Sequence, residues 1–161
     1  MARTPPAVLF RSSAFSKMNV FVPLAGAALV LALATVVPAG EAYAKPSLVV
    51  ALVLGPVLIA AALIFGRLAV TFDGREIVLA YAFIKKRIPL EKVYAVEAHE
   101  IKWWHFGGTG IRFTGGGWAW ITGSGPGVKI ETTRGLTYAN CEHPARLAEL
   151  VAEFKGAASG Y

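Results

Sequence analysis

Charge is scarce in this 161-residue chain: Asp, Glu, Lys and Arg make up 16% of it, against roughly 25% in ordinary globular proteins. Cysteine is scarcer still. A single Cys141 excludes an internal disulfide and any C-x-x-C metal or redox motif. The three histidines, His99, His105 and His143, stand at no metal-ligand spacing. No phosphate loop is present either. The glycine-rich run from Gly123 to Lys129 does not match GxxxxGK followed by Ser or Thr, and no G-x-G-x-x-G fingerprint occurs there. Glu97, His99 and Glu100 lie so close together on an extended stretch that neighbours point to opposite faces. These absences lead to the expectation of a protein that is not an enzyme, with no catalytic residue, no metal site and no cofactor.

The shortage of charge is local. No charged residue lies between Lys17 and Glu41, and none between Lys45 and Arg67. About 18 or more uncharged, mainly apolar residues reach across a hydrocarbon core of about 30 Å. Hydrophobic residues are 55% of the chain and mean hydropathy is +0.54. The sequence therefore predicts two membrane-spanning helices, over about 18–37 and 47–66, joined by a turn from Pro38 to Pro46 into an antiparallel hairpin. Gly55-Pro56 marks a kink in the second. Arg3, Arg11 and Lys17 precede the hairpin and Arg67, Arg75, Lys85, Lys86 and Arg87 follow it, whereas the turn carries only Glu41 and Lys45. By the positive-inside rule both termini are expected in the cytoplasm of a multi-pass protein of the cell inner membrane. Ala42-Tyr43-Ala44 has the form of a signal-peptidase site, but the apolar run before it exceeds the roughly 7–15 residues of a signal peptide. Small residues recur four apart at Ala28 and Ala32, Ala51 and Gly55, and Ala62 and Gly66, a spacing that lets helix backbones approach. No ionisable residue falls inside either span, which argues against a transporter or channel.

From Leu68 the pattern changes to alternation. Leu68, Val70 and Phe72 precede the turn Asp73-Gly74, and Ile77, Leu79, Tyr81 and Phe83 alternate after it, which together read as a β-hairpin. Further strands are expected around Val93 to Val96, Ile111 to Thr114, Trp118 to Thr122, Val128 to Thr132 and Leu136 to Ala139, with glycine clusters as turns. The chain closes with one helix. Pro144 suits its first turn, and Leu147, Leu150, Val151 and Phe154 form one apolar stripe. About seven short strands and an amphipathic helix that need each other predict a partly open β-barrel capped by that helix.

Several features in this order resemble the bacterial pleckstrin-homology-like (PH-like) domains of small membrane proteins. They are Phe72-Asp73-Gly74 with its alternating strand, Ile88-Pro89-Leu90-Glu91-Lys92-Val93, Gly110-Ile111-Arg112-Phe113, Gly117-Trp118-Ala119-Trp120, the hairpin from Glu131 to Thr137 and the closing helix. The resemblance implies an α+β membrane protein with a basic tail at 1–17, a helical hairpin at 18–66, a PH-like domain at 67–155 and a short tail at 156–161. It also implies binding or scaffolding rather than a reaction.

Two clusters are candidate contact sites. Lys102-Trp103-Trp104-His105-Phe106 gathers aromatic side chains of the kind that anchor partners, so Trp103, Trp104, His105 and Phe106 are the candidate partner-binding residues. Trp118 and Trp120 share a strand face and are expected in the core. Lys85, Lys86 and Arg87 form a basic turn that could meet anionic lipid. The net charge of +6 and a pI near 9.7 come without a basic helix, so no nucleic acid is expected. The sequence thus suggests an accessory or scaffold subunit of a larger integral-membrane complex, with the bilayer and other membrane proteins as partners and no small-molecule substrate. The alternative is a free-standing, membrane-anchored module sensing lipid surfaces or proteins.

Overall fold

The computed structural model describes residues 8–15, 17–36 and 44–158. The chain divides into two compact units. One comprises Met1–Phe15 with Arg67–Tyr161, and the other is Ser16–Gly66.

The first unit is α+β. Its first sheet contains β1 (Phe10–Phe15), β2 (Arg67–Phe72), β3 (Glu76–Tyr81) and β4 (Ile84–Pro89), antiparallel in that order. Its second sheet contains β5 (Val93–Ile101), β6 (Gly110–Thr114), β7 (Gly117–Ile121), β8 (Gly125–Thr132) and β9 (Gly135–Asn140), in the order β5-β8-β9-β7-β6. Every pairing there is antiparallel except β7 with β9. The β2–β3 turn is held by Asp73, whose Oδ1 accepts the backbone N–H of Arg75 at 2.9 Å and of Glu76 at 2.8 Å. Gly74 takes the left-handed conformation there, φ 86°, which costs glycine little. Gly117 serves a different end. A Cβ at this position would collide with the backbone carbonyl of Leu136, so glycine is what lets the parallel β7–β9 pair approach.

Alternation decides which side chains go inward. Leu68, Val70, Phe72, Ile77 and Leu79 from the first sheet are fully buried, with Trp120, Val128, Ile130 and Ala139 from the second facing them in one core. Each large aliphatic or aromatic side chain removed from water contributes about 1.5–3 kcal/mol. The helix here, Pro144–Ala158, adds Leu147, Leu150 and Val151 to that core. Phe154 meets Phe72 edge to face, with ring centroids 5.6 Å apart. Lys155 Nζ donates to the backbone carbonyls of Val93, at 2.6 Å, and Tyr94, at 2.8 Å.

The expected seven-stranded barrel is corrected on two counts. Among the described residues there are nine strands, divided four and five between two sheets. One of them, β1, comes from the stretch read as a basic tail. Its inward positions are Phe10, Ser12 and Ala14, a mix too polar and small to register as alternation. Ser12, 3% exposed, accepts the backbone N–H of Glu142 through its Oγ at 2.9 Å.

The second unit is a pair of helices, α1 (Lys17–Val36) and α2 (Ala44–Phe65), so the closing helix of the first unit is α3. Ala27 is buried and Gly26 faces Leu58, while Ala28 and Ala32 are exposed. The Ala28 and Ala32 pair is therefore not a close-approach site, whereas Gly55 and Gly66 are buried and the side chains of Ala51 and Ala62 lie outside those described. Among the described side chains neither helix has a polar side. Phe21, Val22, Leu29, Leu52, Val53 and Val57 are all more than half exposed.

Among the described residues no helix is long and apolar enough to cross a membrane. The two-span transmembrane anchor is corrected accordingly. With it go the multi-pass inner-membrane location and the cytoplasmic placement of the termini, which had no basis other than the spans. The turn at 37–43, with Glu41 and most of Ala42-Tyr43-Ala44, lies outside the described residues, as do Arg3 and 159–161.

Candidate functional site

The basic triplet does not act as one turn. Lys85, Lys86 and Arg87 lie on β4, where successive side chains face opposite ways. Lys86 pairs in register with the fully buried Leu79, and Ile88 with the fully buried Ile77, so Lys86 is on the core face. Lys85 and Arg87 face outward. Arg87 Nη1 meets Glu76 Oε1 at 2.6 Å across the sheet.

Lys86 instead reaches the second sheet. Its Nζ donates to Thr137 Oγ1 at 2.9 Å. Thr137 is on the inward face of β9, opposite Trp118 of β7 in the parallel register. Burial lowers the Lys86 pKa from its ordinary value, because the ammonium gives up water without a carboxylate to replace it. Around this contact opens a cleft of about 350 Å³. Lys86, Arg87 and Pro89 of β4 line one side. Lys92, in the 3₁₀ turn Leu90–Lys92, lines another. The β8–β9 turn supplies Thr133 and Arg134, and Trp118 and Leu136 add apolar surface. The backbone N–H of Thr133 donates to the Lys92 carbonyl at 3.0 Å, which fixes that turn to the 3₁₀ turn. Thr132 Oγ1 stiffens the turn from within, donating to the Gly135 carbonyl at 2.8 Å and accepting the Arg134 N–H at 3.2 Å. No acidic residue is among those lining the cleft.

The aromatic cluster forms a separate place, on the other face of the second sheet. Trp103, Trp104, His105 and Phe106 make a 3₁₀ turn closed by Gly107 in the left-handed conformation. Trp103 and Phe106, three apart, pack on a small second core of Ile101, Ala119 and Ile121 with Tyr138. Trp104, 55% exposed, and His105 project away from it. The Trp104 ring lies edge to face with both Trp103 and His105, at 6.0 Å and 5.9 Å. The cluster is thus two anchors and two presented rings.

Trp118 and Trp120 share the inward face of β7 but have different fates. Trp120 is 3% exposed and its Nε1 has no hydrogen-bond partner. Trp118 is 46% exposed and meets Phe113 edge to face at 5.5 Å, so the core expectation holds for Trp120 and not for Trp118. Cys141 is fully buried, and burial pushes its thiol up from an ordinary value of 9.0, unlike a reactive thiolate. His99 rests against the Tyr138 ring at 5.5 Å. Among the described residues no group of three His, Cys, Asp or Glu side chains could hold a metal ion.

No protein-family model, curated protein or solved structure matches the chain.

The cleft's cations come from β4, the 3₁₀ turn and the β8–β9 turn, and its aromatic residue from β7. Of these only Lys86 and Arg87 were singled out from the sequence. Alternation from Ile88 would have turned Lys86 inward. Lys92, Arg134, Thr137 and Trp118 carry no local signal that would join them to it.

Proposed function

We propose that the chain is a non-catalytic accessory or scaffold subunit, joined to a larger protein assembly through α1 and α2 and presenting its β unit as an interaction module. The observation that carries this reading is the apolar surface of the helix pair. A helix that is hydrophobic on every side is stable only in apolar surroundings, and contiguous exposed apolar surface on a protein marks an interaction site. In this reading the helices of partner proteins supply those surroundings. Trp104 and His105, held outward by the partly buried Trp103 and Phe106, offer a second contact on the β unit. Such a pair suits an interface anchor, where aromatic residues carry a large share of binding energy. The resemblance to PH-like modules points the same way, since such domains mainly bind and scaffold.

The test is affinity purification of the full chain from its own host after mild crosslinking, with the mass of the intact complex measured. A heteromeric complex that disperses on Leu29→Glu with Val53→Glu, and weakens on Trp104→Ala, is the expected outcome. Recovery of the chain alone at 17.1 kDa, or as a homodimer, would overturn the reading.

A further inference from the structure

We propose that the cleft between β4, the 3₁₀ turn at Leu90–Lys92 and the β8–β9 turn binds a small phosphorylated molecule. This goes beyond the docking role and does not rest on it.

Three cationic residues, Lys86, Lys92 and Arg134, line one space of about 350 Å³ that no carboxylate lines, with the outward-facing Arg87 at its margin. A volume of this order suits a small ligand. Like charges gathered in this way repel one another, and the fold does not need them together, because they arrive from separate elements. Arg87 is partly offset by Glu76 at 2.6 Å. Lys86 is the informative member. An ordinary surface lysine keeps its ammonium in water, whereas this one lies on the core face and gives one of its three N–H donors to Thr137 at 2.9 Å. Burial disfavours its charged form, and a bound anion would offset that cost.

The donor set points to phosphate rather than carboxylate. Three cations besides Arg87, with the Thr133 hydroxyl beside Arg134, offer more donors than the two oxygens of a carboxylate can accept. The three terminal oxygens of a phosphate suit guanidinium forks and ammonium groups together. Trp118, half exposed at the same cleft beside Leu136, offers a face to the non-phosphate part of the ligand. A planar ring would stack there, as bases do on exposed aromatic residues. The rigid β8–β9 turn, tied down by Thr132 and by the Thr133 to Lys92 hydrogen bond, keeps the cationic rim in place.

The experiment is calorimetric titration of the full chain with pyrophosphate, then adenosine diphosphate, alongside sedimentation with phosphatidylcholine vesicles containing some phosphatidylglycerol. Saturable pyrophosphate binding should weaken at least about tenfold in Lys86→Met and in Arg134→Gln, as loss of a charge-assisted hydrogen bond implies. Lys85→Gln, on the opposite face of β4, should leave it unchanged. Adenosine diphosphate should bind more tightly than pyrophosphate, and Trp118→Ala should remove that difference. Arg134 is exposed, so its variant keeps the test valid if Lys86→Met is poorly folded. Vesicle binding that is lost in Lys86→Met and competed by pyrophosphate would assign the same chemistry to a lipid headgroup. The proposal fails if pyrophosphate does not bind, or if binding to any probe falls equally with Lys85→Gln and Lys86→Met.

Discussion

Leu29 of α1 and Leu79 of β3 are the same residue in opposite circumstances: one is 61% exposed and the other fully buried. The contrast extends to the units they belong to. In the β unit, period-two alternation sorts apolar side chains into a shared core and leaves most Lys and Glu outside. In the helix pair there is nothing to sort, because nearly every position is apolar, and two helices alone cannot cover all of it. The first unit has a hydrophobic core of its own. The second leaves most of its described apolar side chains exposed, and this asymmetry underlies the functional reading.

The most drastic way to break the comparison is to remove one side of it. Phe15 pairs directly with Arg67, so residues 16–66 can be replaced by Asn-Gly, a two-residue connection favoured between antiparallel strands. The expected product is a monomeric β unit that melts cooperatively and has lost the whole partner assembly. A chain that fails to fold after this excision would show that the β unit depends on the helices.

Matched truncations sharpen the contrast. Leu79→Ala should cost about 2–5 kcal/mol in urea unfolding, the usual loss for a buried leucine. Leu29→Ala should change the stability of the isolated chain by about 0.5 kcal/mol or less, in line with surface positions. Equal losses at the two sites would mean that α1 is already covered in the free protein.

The smallest effect concerns Cys141. Its folded pKa is raised above 9.0 by burial, so the unfolded chain loses this proton first as pH rises. The associated stability is fully present below pH 9 and falls above it, by at most about 1.4 kcal/mol per pH unit. The difference in urea midpoint between the wild type and Cys141→Ala, followed from pH 8 to pH 10, should narrow if the wild type is the more stable. Rapid alkylation of the native thiol at pH 8 would contradict this.

What the sequence reveals about the β unit depends on how far apart the cooperating residues are. The β2–β3 hairpin is legible because Asp73-Gly74 and its flanking alternation are contiguous. The α3 stripe, Leu147, Leu150 and Val151, is legible for the same reason, and all three are buried as their spacing implies. Strand β5 runs on to Ile101, beyond the stretch around Val93 to Val96, because Glu97 to Glu100 are solvent-facing and look like loop. The cleft was not legible at all. Lys86 and Thr137 are 51 positions apart, and only the pairing of two sheets puts them in contact. The aromatic cluster falls between these cases: its composition marked it, but the 3₁₀ geometry decides which rings are presented.

The position of β1 also sets an order of events. This strand leaves the ribosome before its partner β2, and the whole helix pair lies between them in the chain. Relative to a two-residue connection, closing a loop of 51 residues costs about 3 kcal/mol more in chain entropy, by the usual logarithmic dependence on length. The sheet β2–β3–β4 can form from neighbouring segments before that closure. Strand β1 would then arrive late, and its Ser12 to Glu142 contact must wait until the segment after β9 has been made. A strand made before all its partners is therefore among the last to take its place.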